Sequence, residues 1–377
     1  MLLIQGFQIS SCENQPRRLL LNNNIKNSHE SILRTFGLKY FQTCDYNNEF
    51  PREYFNSLKA NNLLYHLITD YESANLFSYI AHLIGQYSIS ASICWVMHNQ
   101  QINTIRQLSP KIYEQLVRDQ SLIASVTSEY NEIASNVLSE ERDKLRVIRS
   151  APVCSYRYDA DFFVISMQHK DITPSDRYLV LLPKEYVKST SGYPLSSNRS
   201  TSSGPIEIDT YINTEQIIGN LSTIFASTFV PIAHIGWMSS YNGGLEGVLS
   251  RIRSSFRKKK SLLSKKLSDA LFRNRISQVI ALEYTNRCLI QDCLYKNYSI
   301  SDTSRKLSLN VIKTETARNI RNASYLLEEA LGLKYTMTPF DEFGAEIFCR
   351  DAKSASLMVH NDRFYQDIFD LWILKMT

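Results

Sequence analysis

The sequence lacks most of the features that would place it quickly. Its seven cysteines (Cys12, Cys44, Cys94, Cys154, Cys288, Cys293, Cys349) are scattered, odd in number, and form neither a CxxC pair nor a Cys/His cluster. That pattern argues against a disulfide framework and a zinc site, and it fits buried thiols in a reducing cytosol. Uninterrupted apolar runs are also missing. The longest, 217–237, is broken by Asn220, Ser222, Thr223, Ser227 and His234, so no membrane span is expected. No basic segment precedes a long apolar stretch at the start, which speaks against a secretory signal. Charge of one sign is scarce: the net charge is +5, most of it from one tract, a weak basis for nucleic-acid binding. No repeat recurs at the period of a solenoid or propeller.

What is present is an ordinary globular composition, 44% hydrophobic and 21% charged over 377 residues, enough for two or three packed units. Residues 49–122 read as successive helices. Phe50, Tyr54 and Leu58 fall at helical spacing in 49–62, apolar residues recur at three and four through 76–97, and no proline lies between Pro51 and Pro110. The pattern changes near Leu122. Short β-rich runs at 162–165, 178–182 and 206–208 are separated by Pro152, Pro174, Pro183, Gly192, Pro194, Gly204 and Pro205, which predicts a small all-β unit. Its Ser/Thr-rich stretch 189–204 reads either as a solvated loop on the β-unit or as a binding segment. Helical spacing returns after Asn220, with Leu357, Phe364, Ile368, Leu371 and Leu374 on one face near the end. The expected class is α+β in three parts: a helical domain over 1–122, a β-domain over 123–220 and a helical bundle over 221–377.

Four segments in this order resemble the acyl-CoA dehydrogenase family along nearly the whole chain. Phe50-Pro51-Arg52-Glu53 is similar to the family's FPRE helix start, and Ala124-Ser125-Val126-Thr127-Ser128-Glu129 to the turn entering its β-domain. Asp161-Phe162-Phe163-Val164-Ile165 resembles its ADWYL strand, and Cys349-Arg350-Asp351-Ala352-Lys353 its YRDAR motif. The resemblance implies FAD as cofactor and a homodimer or homotetramer with cofactor sites at subunit interfaces. By position it puts the flavin ring on Thr127-Ser128 and Cys154-Ser155, with Ser155 as the N5 contact. Backbone amides and short hydroxyls can bond the flavin edge without blocking its face, although a serine between strands also serves simply as a loop hydroxyl.

The basic tract Arg251, Arg253, Arg257, Lys258, Lys259, Lys260, Lys265 and Lys266 lies where the family carries an arginine for the cofactor's pyrophosphate, and Arg257 is the candidate. A solvated helix face or a docking patch for an acidic acyl carrier protein are the other readings. Of the family's glycine pair against the ADP half, Gly332 alone remains, and a glycine after a helix is also a C-cap.

The largest departure concerns the base. Most family members place a catalytic Glu after the YRDAR motif, and the same count here reaches Val359. The alternative family position falls in Val230-Pro231-Ile232-Ala233-His234, where no carboxylate stands but His234 does. A neutral imidazole is a competent base near pH 7, so His234 is the catalytic candidate; a lone histidine among Pro, Ile and Trp also suits a satisfied core position. His98, Trp237 and Asp362 are candidates for the substrate pocket, and Asn361 for contact with the flavin. Pro231-Ile232-Ala233-His234-Ile235 together with Leu357-Met358-Val359-His360-Asn361-Asp362-Arg363 resembles a branch of the family that oxidises carrier-protein-bound hydroxy or amino acyl units in natural-product pathways. The implied reaction is FAD-dependent oxidation of a seryl-derived unit on an acyl carrier protein toward an aminomalonyl- or hydroxymalonyl-type extender. An ordinary α,β-dehydrogenase with a relocated base and a catalytically dead scaffold compete with it. The basic tract lacks interleaved aromatics apart from Phe256, so no nucleic-acid partner is expected.

Overall fold

A computed structural model describes residues 15–127, 136–141, 144–169, 176–257, 266–299 and 305–374. Five helices come first: α1 (Gln15–Asn47), α2 (Arg52–Ala60), α3 (Tyr71–Gly85), α4 (Ile89–Leu108) and α5 (Pro110–Arg118). Local chemistry sets their ends. Asp70 caps α3 through the Ser73 amide while Ser73 returns the bond to the cap, and Ser88 caps α4 through the Ala91 amide. Pro110 at the start of α5 closes α4 behind it. The continuous helical spacing expected over 76–97 is therefore two helices, broken at Gln86–Ser88. Helix α1 breaks at Gly37, whose φ of +68 needs a residue without a Cβ.

Eight strands follow: β1 (Ile123–Val126), β2 (Asn136–Glu141), β3 (Lys144–Cys154), β4 (Phe162–His169), β5 (Arg177–Pro183), β6 (Lys188–Ser189), β7 (Gly204–Ile212) and β8 (Ile217–Asn220). They pair in the order β6-β7-β3-β2-β4-β5-β8, with β1 parallel to β4. The β3–β7 register shifts between Ala151 and Cys154, a bulge that re-aims the end of β3. Helices α6 (Val230–Arg257), α7 (Ala270–Tyr298), α8 (Arg305–Leu331), α9 (Leu333–Thr336), α10 (Ala345–Asp351) and α11 (Asn361–Leu374) complete the chain. Leu357, expected on the face of the last helix, lies before α11 and is exposed, whereas Phe364, Ile368 and Leu371 are half-buried. No described helix is long and apolar enough to cross a membrane.

Close helix packing ties the first helical part to the last. A Cβ built on Gly85 would strike the Ser240 carbonyl, one on Gly243 the His82 carbonyl, and one on Gly247 the Gln86 carbonyl. Ser78 and Ser239 share a hydrogen bond of 2.8 Å across the same contact, and Ser92 and Ser240 one of 2.7 Å from α4. Small residues let the α3 and α6 backbones approach, and their buried hydroxyls are satisfied by one another and by nearby carbonyls, Ser239 by Ile235 and Ser240 by Gly236.

The 189–204 segment departs from the solvated-loop reading. Tyr193 is 95% exposed, but Asn198, Ser200 and Thr201 are buried. The backbone amide of Asn198 donates to Asp351 Oδ1 at 2.7 Å and its side-chain amide to Ser354 Oγ at 2.7 Å. The loop is thus a wedge from the β-domain into the carboxyl-terminal helices.

Candidate functional site

The bulge and the wedge meet at one edge of the sheet. Ser125 Oγ and Thr127 Oγ1 are 2.9 Å apart at the end of β1, and Gln101 of α4 donates to Ser125 at 2.9 Å. Beyond the β3 bulge, Ser155 Oγ lies 2.9 Å from Ser203 Oγ, which is 2.6 Å from Thr201 Oγ1. The buried Tyr156 joins the two groups by donating its hydroxyl to the Ile123 carbonyl at 2.8 Å. Three non-glycine residues here hold left-handed backbone, Tyr156 (φ +42), Asn198 (φ +52) and Ser202 (φ +49), and such strain concentrates where a fold must present groups to a ligand. Hydroxyls bonded to one another can rotate toward an incoming group, and the buried Gln101 Oε1 has no described partner. These residues fit the polar edge of a flavin ring. Cys154 offers only backbone, because its thiol is buried and burial pushes it up to about 12. Ser128 lies outside the described residues.

A second constellation joins α6, α8 and α11. His234 is buried, its Nδ1 is 3.3 Å from the Leu309 carbonyl, and Phe364 packs on the ring edge-on at 4.9 Å. A carbonyl accepts only, so Nδ1 carries the proton and Nε2 keeps its lone pair. Burial first, then the charge of Lys313, lowers His234 to about 3, so the ring is neutral across physiological pH. Trp237 stands next along α6, its ring 6.1 Å from the imidazole.

Sequence reasoning passed over Lys313. It is fully buried, and its ammonium donates to the carbonyls of Ala355 (2.9 Å) and Val359 (3.0 Å) and to Asn361 Oδ1 (2.8 Å). It therefore holds the turn in which the family's Glu would sit. The signal was its register: Leu309, Ile312, Thr316 and Ile320 are all buried, and Lys313 shares their face of α8.

Of the remaining candidates, His98 and Asn361 touch these groups, and Asp362 and Arg257 are at the surface. His98 is fully buried, accepts from the Ile123 amide at 3.1 Å and packs edge-on with Tyr65, so it anchors α4 to β1. Asn361 commits its oxygen to Lys313 and its nitrogen to the Thr314 carbonyl at 3.4 Å. Asp362 is at the surface, its side chain 78% exposed and 3.2 Å from His360. Arg257 ends α6 in an exposed position. Two members of the basic tract have internal work instead. Arg251 donates to the carbonyls of Phe343 (2.7 Å) and Gln86 (2.8 Å), and Lys266 to those of Ala330 (2.8 Å) and Leu331 (3.4 Å) just before Gly332. Gly332, at φ +76, opens onto space that a Cβ would not fill. Lys258, Lys259, Lys260 and Lys265 lie outside the described residues.

No family model matches the sequence, and no curated protein is similar to it by sequence. Solved structures do match. FMN-bound TdsC from Paenibacillus sp. A11-2 has a TM-score of 0.78 at 16% identity, covering 94% of this chain and 98% of its own. The FAD complex of PigA has a TM-score of 0.79 at 13% identity, covering 98% and 100%. Butyryl-CoA dehydrogenase from Megasphaera elsdenii has a TM-score of 0.79 at 11% identity, again covering 98% and 100%. Helices, sheet and second helices recur in one order along nearly the full length of each, and the chain therefore has the acyl-CoA dehydrogenase-like fold.

Proposed function

We propose that this chain is a FAD-dependent oxidoreductase that oxidises a seryl-derived aminoacyl or hydroxyacyl unit on an acyl carrier protein toward an aminomalonyl- or hydroxymalonyl-type product. In its residue pattern it resembles the flavin dehydrogenase of the colibactin pathway. The observation that carries this reading is the neutral His234 in place of a carboxylate, with Val359 at the other base position. A valine cannot remove an α-proton, and a neutral imidazole suits a less demanding transfer, from the hydroxyl of an aldehyde hydrate.

FAD supplies the hydride acceptor for such a reaction. The hydroxyls of Ser125, Thr127, Ser155 and Ser203 would hold its ring edge, with Ser155 as the candidate contact to N5, and Arg257 and Gly332 would serve its phosphate and adenosine portions. His234 Nε2 would receive the proton of one hydrate hydroxyl as the C–H bond breaks, its electron pair leaving as hydride to the flavin, and that C–O bond becomes the C=O of the acid. Phe364 and Trp237 keep water from the imidazole, and the Leu309 carbonyl fixes its tautomer. A homodimer or homotetramer accords with the exposed Phe369, Trp372 and Ile373 of α11.

The test is the absorbance spectrum of FAD-loaded protein in the absence of oxygen, before and after a carrier-bound seryl-derived aldehyde is added. Bleaching supports the proposal. Bleaching by saturated acyl-CoAs alone would mean an ordinary α,β-dehydrogenase, and a protein that takes up no flavin would leave a scaffold. One neighbour is a dibenzothiophene monooxygenase, so oxygen insertion by the reduced protein is the second reading, scored by labelled oxygen in the product.

A further inference from the structure

Lys313 is a buried cation whose three hydrogen bonds all end on neutral oxygens, two backbone carbonyls and an amide. Among the described residues it forms no ion pair with a carboxylate. Buried charges are ordinarily paired, because removal from water is costly and only an opposite charge compensates it well. Burial pulls Lys313 down to about 8, which leaves it mostly protonated at neutral pH.

Its surroundings are short of acceptors. The Trp237 indole N–H, close to the imidazole, is buried without a partner. Asn310 is 3% exposed and its amide nitrogen has no partner either. It stands one turn before Thr314 and three residues before Lys313, on the same face of α8. The Trp237 ring thus lies 6.1 Å from a neutral imidazole that also feels the Lys313 charge, and Asn310 adds a second unpaired N–H on the same face of α8 as Lys313. Val359 gives Lys313 only its backbone carbonyl and adds no charge.

We propose that the space beside His234 binds a carboxylate on the acyl unit, attracted by the Lys313 charge and accepting from the Trp237 N–H. The ligand class is a short acyl thioester ending in a carboxylate, a malonyl-type half-acid. The proposal rests on the oxidation reading only in placing an acyl thioester at His234, and it makes the oxidised end of that unit the group the site recognises.

The test measures binding to the FAD-loaded protein without turnover, by quenching of tryptophan fluorescence. The probes are malonyl-N-acetylcysteamine and acetoacetyl-N-acetylcysteamine, which differ by a carboxylate against a methyl ketone. The malonyl probe is expected to bind at least about tenfold more tightly, a step any charge-assisted contact can supply. Lys313→Met should erase the preference, and Trp237→Phe, which keeps the ring and removes the N–H, should cut it by roughly three- to tenfold. Equal affinity of the wild type for both probes overturns the proposal, as does a preference that survives in folded Lys313→Met. Should Lys313→Met not fold, an unchanged preference in Trp237→Phe counts against the site. A wild type that prefers the malonyl probe but never bleaches with the aldehyde upholds this site and discards the oxidation; bleaching without the preference does the reverse.

Discussion

At the scale of single residues, the proposed chemistry rests on His234, and its environment makes a definite forecast. Because its charged form is penalised by burial and by Lys313, the imidazole is already a free base throughout the neutral range. Lowering the pH from 8 to 5 should therefore bring no loss of flavin-reduction rate from protonation of this ring. Replacing it, His234→Ala, should slow reduction by about 10²- to 10⁴-fold, the usual contribution of a positioned general base. Stopped-flow bleaching of the FAD-loaded protein checks both. A pH-independent His234→Ala variant as fast as the wild type would show that the ring only fills space.

At the scale of elements, the contact between α3 and α6 is the most sensitive joint in the fold. The backbone at Gly243 faces the His82 carbonyl with no room for a methyl group. Gly243→Ala should thus lower stability by about 1–3 kcal/mol, the usual penalty of overpacking. Urea denaturation measures it, and a midpoint equal to wild type would mean that the helices can separate freely. Much of this level could be read in advance, for periodic reasons: the strand-rich stretch between helical stretches was marked by prolines, glycines and β-branched runs. Other features had no local mark. Helix α1 spreads its apolar residues around the cylinder, so it has no clean stripe. The wedge at 196–203 is rich in serine, as solvated loops are, and only the approach of Asp351 and Ser354 from far along the chain buries it. Lys313 was hidden for a similar reason: lysines are usually solvated, and only its apolar neighbours on α8 reveal otherwise. His234 was visible because a carboxylate was missing from the position it occupies.

At the scale of the whole molecule, acid should weaken this protein early. Burial lowers His29, His98 and His234 to about 3 and His66 to about 4. The unfolded chain, with histidines near 6.5, takes up protons that the folded one refuses, so their stability is present above pH 6.5 and lost as pH falls. At pH 5.5 each costs about 1.4 kcal/mol. Asp351 works the other way, because burial raises it and its folded form gains a proton first. The histidines outnumber it, and the melting temperature should fall markedly between pH 7.5 and pH 5.5. A constant melting temperature across that range would contradict the burial of these rings.

Helix α1 is tied to segments far along the sequence. Gln42 of α1 donates to the Asp341 carbonyl at 2.8 Å, 299 residues onward, and Arg350 pairs with Asp45 of α1. During synthesis at roughly 5–20 residues per second, α1 would leave the ribosome on the order of 15–60 s before these partners exist. For that interval Asp45, buried in the native protein, lacks its Arg350 partner. The ribosome's pace over the roughly 300 residues between these partners thus sets how long a buried carboxylate of α1 stays without its cation.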